Sequence, residues 1–173
     1  MFRKMRRYQQ LLSQEESIEI LRAGTSGVLA VQGDDDYPYA IPLNYVYRDN
    51  KLYFHCAKAG HKLDAIQRQP KVSFCVISED KIVPEEYTTY FRSVIVFGKA
   101  HILTEEDEIK SAINALAIKY SPNDTEENRQ QVIAREWKPL CMFVLEIEHM
   151  TGKEAIELVR AKSCNLPEFR PEQ

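Results

Sequence analysis

The chain has 173 residues, with 44% hydrophobic and 28% charged side chains, which is the composition of one ordinary globular domain. The formal net charge of -3 argues against a nucleic-acid partner, because neutralising phosphates requires a surplus of clustered Lys and Arg. No stretch approaches the roughly 18 apolar residues of a membrane span, and no apolar run follows the basic N-terminus, so we expect a cytoplasmic protein with no membrane partner.

The first third of the chain predicts one short helix followed by three antiparallel strands. Ser13 and the two acids that follow Gln14 are typical of a helix start, and the helix runs to about Arg22. Segments rich in β-branched and aromatic residues cover 28–32, 39–47 and 52–56. Short polar turns separate them, so adjacent segments are expected to pair as a meander.

The middle of the chain returns to helical spacing over 60–67, and Pro70 ends that helix. A strand is predicted over 72–77. Residues 78–89 are polar with one proline and predict a loop. A long apolar strand follows over 91–103.

The C-terminal third predicts two helices and a last strand. Thr104 and the acids after it resemble a capping box, and the helix that it opens places Ile109, Ile113, Leu116 and Ala117 at core spacing. The second helix, over 123–136, is polar and peripheral. The last strand covers 140–147, and the proline-containing tail over 163–173 is expected to be loose.

Together these elements predict a mainly β fold with peripheral helices, in which about six antiparallel strands form a barrel. Consecutive strands joined by short turns disfavour a parallel α/β sheet. The chain also lacks the glycine-rich phosphate-binding motifs of nucleotide-binding folds and the nucleophile motif of hydrolases. We therefore expect a single domain over 1–173.

The most informative segment is 54–64, where a strand ends, a turn of small residues follows and a helix begins. A helix N-terminus presents unpaired N–H groups and a partial positive charge, which can hold a phosphate. Lys62 adds a full charge, His61 adds a donor, and Gly60 permits close backbone approach. The residues alone leave two interpretations open: a phosphate-bearing ligand, or an ordinary helix start with solvated side chains.

The strand at 41–45 would form the second half of such a site if it pairs with the strand at 52–56. The Asn44 amide suits the polar edge of a heterocycle, although Asn44 and Pro42 are also compatible with an outward polar residue and an edge-strand proline.

The four cysteines contain no CxxC pair and are expected to be reduced and mostly buried. The only near-cluster of metal-ligand types is His55, Cys56 and His61, and we predict no metal site there.

A resemblance to a known family is carried by the segments PYAIPLNYVYRDNKLYFHCAKAGHKLDAIQRQPKVSF and SVIVFGKA. Over about 6–150 the chain resembles the pyridoxamine 5′-phosphate oxidase-like superfamily of FMN-binding split barrels, and within it the nitroimidazole-resistance branch. The oxidases hold the FMN phosphate with a serine-arginine-lysine tripeptide, which is replaced here by Gly60-His61-Lys62. Only the lysine is retained, and the vitamin-recognition residues of the oxidases are not evident, so pyridoxamine phosphate oxidation is not expected.

The resemblance implies a six-stranded split barrel that forms a homodimer, with FMN bound at the interface. The flavin ring would lie along the strand at 41–45, and the phosphate would lie near the turn before Lys62. The implied cofactor contacts are Pro42, Leu43, Asn44, Tyr45, His55, Ala57, His61, Lys62, Ser93 and Val94.

The function implied by the resemblance is a flavin-dependent reductase of small oxidised molecules such as nitroimidazoles. A reduced flavin delivers electrons from its own ring, so no protein nucleophile is needed, and His55 is the candidate proton donor or substrate contact. Two alternatives share the fold: a flavin-binding carrier or sensor without catalysis, and a haem-binding split barrel. Trp137 is expected to serve packing rather than the partner's flavin pocket, and His101 and His149 are expected to be structural.

Overall fold

The computed structural model describes residues 1–164, which form a seven-stranded antiparallel sheet and five α-helices. The strand order is β2-β1-β5-β6-β7-β4-β3. The strands are β1 (Ser26–Gln32), β2 (Pro38–Asn44), β3 (Val46–Arg48), β4 (Lys51–Ala57), β5 (Lys71–Val83), β6 (Thr88–Ile102) and β7 (Leu140–Glu154). The helices are α1 (Gln14–Ala23), α2 (His61–Arg68), α3 (Glu106–Tyr120), α4 (Glu126–Glu136) and α5 (Ile156–Cys164).

The predicted mainly β, antiparallel split-barrel architecture is confirmed, with seven strands in place of six. The difference arises because the segment predicted as one strand over 39–47 is broken at Tyr45. Its first part, β2, pairs with β1, and its second part, β3, pairs with β4. Because β2 and β3 stand at opposite ends of the strand order and are joined by one residue, the two ends of the sheet lie side by side and close the barrel.

The C-terminal end of α3 stabilises this closure. The Tyr120 hydroxyl accepts a hydrogen bond from the Tyr45 N–H at 3.0 Å, and it lies within hydrogen-bond distance of the carbonyl oxygens of Tyr45 and Thr25. Lys119 donates to the Gly24 carbonyl, and its ammonium lies 4.3 Å from the centre of the Tyr45 ring. The backbone groups that the strand break exposes are thus satisfied by a helix rather than by a neighbouring strand.

Two apolar clusters lie on the two sides of β4 and β7. The barrel interior contains Phe54 stacked on Phe143, with ring centres 4.6 Å apart, and Phe54 edge-on to Phe74 at 5.1 Å. On the outer side, Tyr53 and Met142 pack with residues of α3. Since neighbouring residues of a strand point to opposite faces, this covering by α3 explains why both strands are apolar at consecutive positions.

The loop predicted over 78–89 is mostly strand, and that prediction is wrong. Strands β5 and β6 continue as a long hairpin in register from Glu79 opposite Arg92 to Val83 opposite Thr88, and a one-turn helix at Pro84–Glu86 connects them. This part of the hairpin extends into solvent, so its side chains are polar and its composition resembles that of a loop. Its stability comes from backbone hydrogen bonds between the strands and not from apolar burial.

The C-terminal part of the chain also differs from the prediction. Strand β7 continues to Glu154, and α5 follows, so Ser163 and Cys164 are helical; the rest of the expected loose tail, 165–173, lies outside the described residues. The Glu154 carboxylate is 3% exposed and accepts hydrogen bonds from Arg92 at 3.1 Å and from Lys162 at 2.7 Å. These buried contacts attach α5 to the barrel.

The helix starts show how capping varies between sites. Ser13 forms a complete capping box with Glu16 at the start of α1. The capping box expected at Thr104 is wrong, because the N-cap of α3 is Glu105 and no side chain caps the helix. The acids of its first turn supply the favourable charge instead.

Within residues 1–164 the longest helix has 15 residues, and no helix there combines the length and apolarity that crossing a membrane requires.

Replacing Tyr120 by Phe tests the barrel closure. The variant loses the acceptor for the Tyr45 N–H, so we expect the free energy of unfolding to fall by about 1–3 kcal/mol. Urea titration followed by circular dichroism measures the change. Tyr37→Phe, at an exposed tyrosine outside the junction, is the matched control and should change stability by less than about 0.5 kcal/mol. Equal stability of the two variants would contradict the role assigned to Tyr120.

Candidate functional site

A cavity of about 520 Å³ lies between the end of β4 and the helices α3 and α4. Its floor is formed by β4 through His55, Cys56 and Ala57. Its apolar walls come from the two helices and from the start of β7, and include Ile113, Leu116, Ala117, Val132, Ile133 and Leu140. The volume falls within the range of small-molecule sites, roughly 300–1,000 Å³.

The turn after β4 is shaped by Gly60. Its φ of 141° lies in a region that side chains with a Cβ rarely adopt, and an added Cβ would meet nothing within 4 Å. Backbone geometry rather than crowding therefore requires glycine here. This turn reverses the chain so that α2 begins beside the strand end, as predicted, with bounds that differ by one residue from the expected 60–67.

Lys62 and His55 lie close to each other near the cavity. The Lys62 side chain is half-buried and has no carboxylate within ion-pair distance in the described part of the chain. Partial burial, together with the positive charge of Lys62, lowers the pKa of His55 below its ordinary value. The imidazole is therefore neutral at neutral pH, with one N–H donor and one acceptor nitrogen.

His61 is directed to other partners. Its ring stacks on Tyr39 with centres 4.3 Å apart, and its Nε2 lies 3.5 Å from an Asp34 carboxylate oxygen. Arg68 contacts the other Asp34 oxygen at 3.2 Å. His61 thus belongs to a surface cluster beside the turn after β1. Although it is next to Lys62 in sequence, it is not part of the cavity wall.

Strand β2 presents its predicted residues on alternate faces. Asn44 lines the cavity, and its amide donates to the Thr25 carbonyl at 3.0 Å. Pro42 is exposed on the same side, whereas Leu43 packs against the barrel core. The expected pairing of this segment with β4 is wrong for these residues, because Pro42 and Asn44 pair with β1.

Tyr45 is fully buried, and its hydroxyl has no hydrogen-bond partner within 1–164. Burial raises the pKa of this hydroxyl, so it stays protonated.

Ser93 and Val94 lie on β6, which β1 and β5 separate from β2, and neither lines the cavity. Val94 is buried in the barrel core, and Ser93 is partly exposed. Asn44, His55 and Ala57 therefore meet in the cavity with Lys62 nearby, while the other predicted contacts lie elsewhere.

The cavity walls include residues to which the sequence assigned no binding role. The apolar face of α3 was expected only as core and α4 only as a polar, peripheral helix, and Tyr120 had no predicted role. The adjacent Val132 and Ile133 in an otherwise polar helix were the available signal. Trp137 lies in a separate groove between α3 and α4, with the Lys110 ammonium 5.9 Å from its ring centre.

The sequence profile of the family described as pyridoxamine 5′-phosphate oxidase matches residues 13–154 of the chain. The chain belongs to this family. The match extends from the start of α1 to the end of β7 and so includes the whole barrel and the cavity. Among curated members, the uncharacterised protein RA0666 of Rhizobium meliloti is 27% identical over 150 residues, which cover 84% of this chain and 94% of that protein.

Solved structures show the same fold. A structure described as an FAD-binding protein of Mesorhizobium loti is 26% identical and has a TM-score of 0.62, covering 84% of this chain and 97% of that chain. A candidate 5-nitroimidazole antibiotic resistance protein of Bacteroides thetaiotaomicron is 19% identical and has a TM-score of 0.69, covering 83% of this chain and 86% of that chain. The predicted superfamily is thus confirmed.

Proposed function

We propose that this protein binds FMN in the cavity between β4, α3 and α4 and acts as a flavin-dependent reductase of small oxidised molecules such as nitroimidazoles. The observation that carries the proposal is an apolar cavity of about 520 Å³ next to a half-buried lysine that has no carboxylate partner within 1–164. A flavin mononucleotide combines a flat apolar ring with an anionic phosphate, so the two halves of the site match the two halves of the molecule.

The side chains present fit this cofactor. Aliphatic groups of α3 and α4 offer a surface on which a ring can lie, and Asn44 and His55 place polar groups at its edge. Lys62 lies in the first turn of α2, where the helix dipole adds to its charge. Family membership and the FAD-binding relative in Mesorhizobium loti support a flavin.

A flavin held by these residues would supply the redox chemistry, as hydride or single electrons for the substrate. The chain's own residues bind and orient. Lys62 neutralises phosphate charge, and Asn44 aligns the polar edge of the ring. The walls from α3 and α4 exclude water from the reacting face. The neutral imidazole of His55 offers one N–H donor and one acceptor nitrogen at the cavity wall, where it can hydrogen-bond the substrate.

We further propose that two copies pair through the outer face of β1, β5 and β6. Val28, Cys75 and Ile95 stand opposite one another in a row across these strands, and Val28 and Ile95 are 40% and 39% exposed. Ile77, which pairs with Ser93, extends the apolar surface. An apolar face of this kind on a barrel favours association.

Removing the Lys62 charge tests the phosphate contact. Lys62→Ala loses a hydrogen bond to a charged group, so we expect FMN binding to weaken by about 1.5–3 kcal/mol, roughly 10- to 150-fold. Equilibrium dialysis with FMN measures the dissociation constant. Lys81→Ala, at an exposed lysine of the β5–β6 hairpin, removes the same charge as a control and should bind normally. Unchanged affinity in Lys62→Ala would refute the assigned phosphate position.

Anaerobic reoxidation tests the chemistry. The FMN-loaded protein, photoreduced and mixed with a 5-nitroimidazole, should recover its oxidised flavin spectrum faster than photoreduced free FMN does, because the site holds substrate against the ring. Reoxidation by oxygen alone would favour a carrier or sensor. An absorption spectrum with haem bands in place of flavin bands would favour the haem alternative, and the mass of the released ligand distinguishes FMN from FAD.

A charge placed on the outer face tests the dimer. We expect sedimentation equilibrium to show a dimer for the unmodified protein and a monomer for Ile95→Asp, because the carboxylate would lose water at the interface. Ile82→Asp places the same charge at an exposed isoleucine of the β5–β6 hairpin and should remain dimeric. A monomeric unmodified protein at micromolar concentration would exclude the proposed pairing.

A further inference from the structure

Two cysteines face each other across the neighbouring strands β4 and β7. Cys56 on β4 and Cys141 on β7 are directly opposite in the antiparallel register. Side chains of opposite residues lie on the same face of a sheet, and both thiols are half-buried at the edge of the barrel core. The functional proposal above gives neither thiol a role.

The Cα spacing expected at this pair falls within the range of disulfides. The Ile147 N–H donates to the Asn50 carbonyl at 3.3 Å, so these two opposite residues form a hydrogen-bonded pair of the ladder. Pairs of this kind recur at every second position, and Cys56 with Cys141 falls on the same alternation, where Cα atoms are about 5.5 Å apart. Disulfides span Cα separations of roughly 4.4–6.8 Å. Since Cβ atoms of such pairs lie about 5.5 Å apart and those of disulfides roughly 3.5–4.5 Å apart, a bond between the two thiols requires the strand ends to approach by about 1 Å or more.

The other cysteines of the described chain lack this arrangement. Cys75 stands opposite Val28 on one side and Ile95 on the other. Cys164 is exposed near the end of α5. Both Cys56 and Cys141 are partly exposed, which gives small molecules a route to the pair.

We propose that Cys56 and Cys141 are a redox-active dithiol that small-molecule disulfides, such as oxidised glutathione, convert to a cross-strand disulfide. One cysteine thiolate attacks a sulfur of the small disulfide, forms a mixed disulfide and releases one thiol. The second cysteine then attacks the protein sulfur of that mixed disulfide and releases the other thiol. Two cysteine thiols are oxidised, the small disulfide is reduced to two thiols, and atoms and electrons balance.

The surroundings control the rate of this exchange. Burial raises the pKa of the Cys56 thiol to about 11; the neighbouring Cys141 adds to this effect, and the positive charge of Lys62 opposes it. Thiolate is therefore scarce at neutral pH, and the first attack is slow. The second attack is intramolecular between directly opposite residues and is expected to be fast. The mixed disulfide should accordingly not accumulate at this pair.

Mass spectrometry of the full chain tests the proposal. The folded protein is incubated with oxidised glutathione at mildly alkaline pH, its remaining thiols are alkylated, and it is digested with pepsin in acid to prevent exchange. We expect a cross-linked peptide joining Cys56 to Cys141 and glutathione retained on Cys164. The Cys75→Ser variant should give the same cross-link. The Cys141→Ala variant should lose it and retain glutathione on Cys56.

Three outcomes would overturn the proposal. The first is alkylation of both Cys56 and Cys141 after Cys164 has reacted completely. The second is a cross-link that appears only when urea is present during oxidation. The third is stable glutathione on Cys56 of the unmodified protein, which would show that Cys141 cannot reach the mixed disulfide. None of these measurements requires bound flavin, so they separate this proposal from the proposed function.

Discussion

The change of strand partner at Tyr45 is the constraint on which the remaining structure depends. One continuous segment supplies both ends of the sheet, so the sheet must close on itself. The backbone groups at the break would be left without partners if the Tyr120 hydroxyl did not bind the Tyr45 N–H. Because Tyr120 ends α3, the closure also sets where α3 lies against the barrel. The cavity wall is thus a consequence of how the barrel closes.

The proposed flavin site rests on two properties of the cavity. Its walls are aliphatic, and beside it lies a half-buried Lys62 with no carboxylate within ion-pair distance in the described chain. The same charge helps to keep the nearby His55 neutral. One fold can carry several different activities, so the side chains of the site, and not the fold, determine what this protein does.

Local signals predicted the elements whose stability is local. The helix at Ser13 has the expected cap, and the expected strand over 52–56 differs from Lys51–Ala57 by only one residue at each end. The predictions failed where distant parts of the chain decide the outcome. The polar residues after Ile77 are strand because β6 pairs with them. Thr104 is not a cap because α3 begins at Glu106, after Leu103 has packed beneath it.

The sequence by itself determined the class of fold, the family and the turn at Gly60 that places Lys62 beside β4, because hydrophobic alternation and backbone preference act over a few residues. Only the tertiary structure decided that His61 turns to Asp34, that α3 and α4 enclose the cavity, and that Cys56 meets Cys141. Each of these contacts joins residues that the fold, and not their spacing in the chain, brings together. These contacts can form only once the barrel has closed, and a local sequence pattern carries no information about that closure.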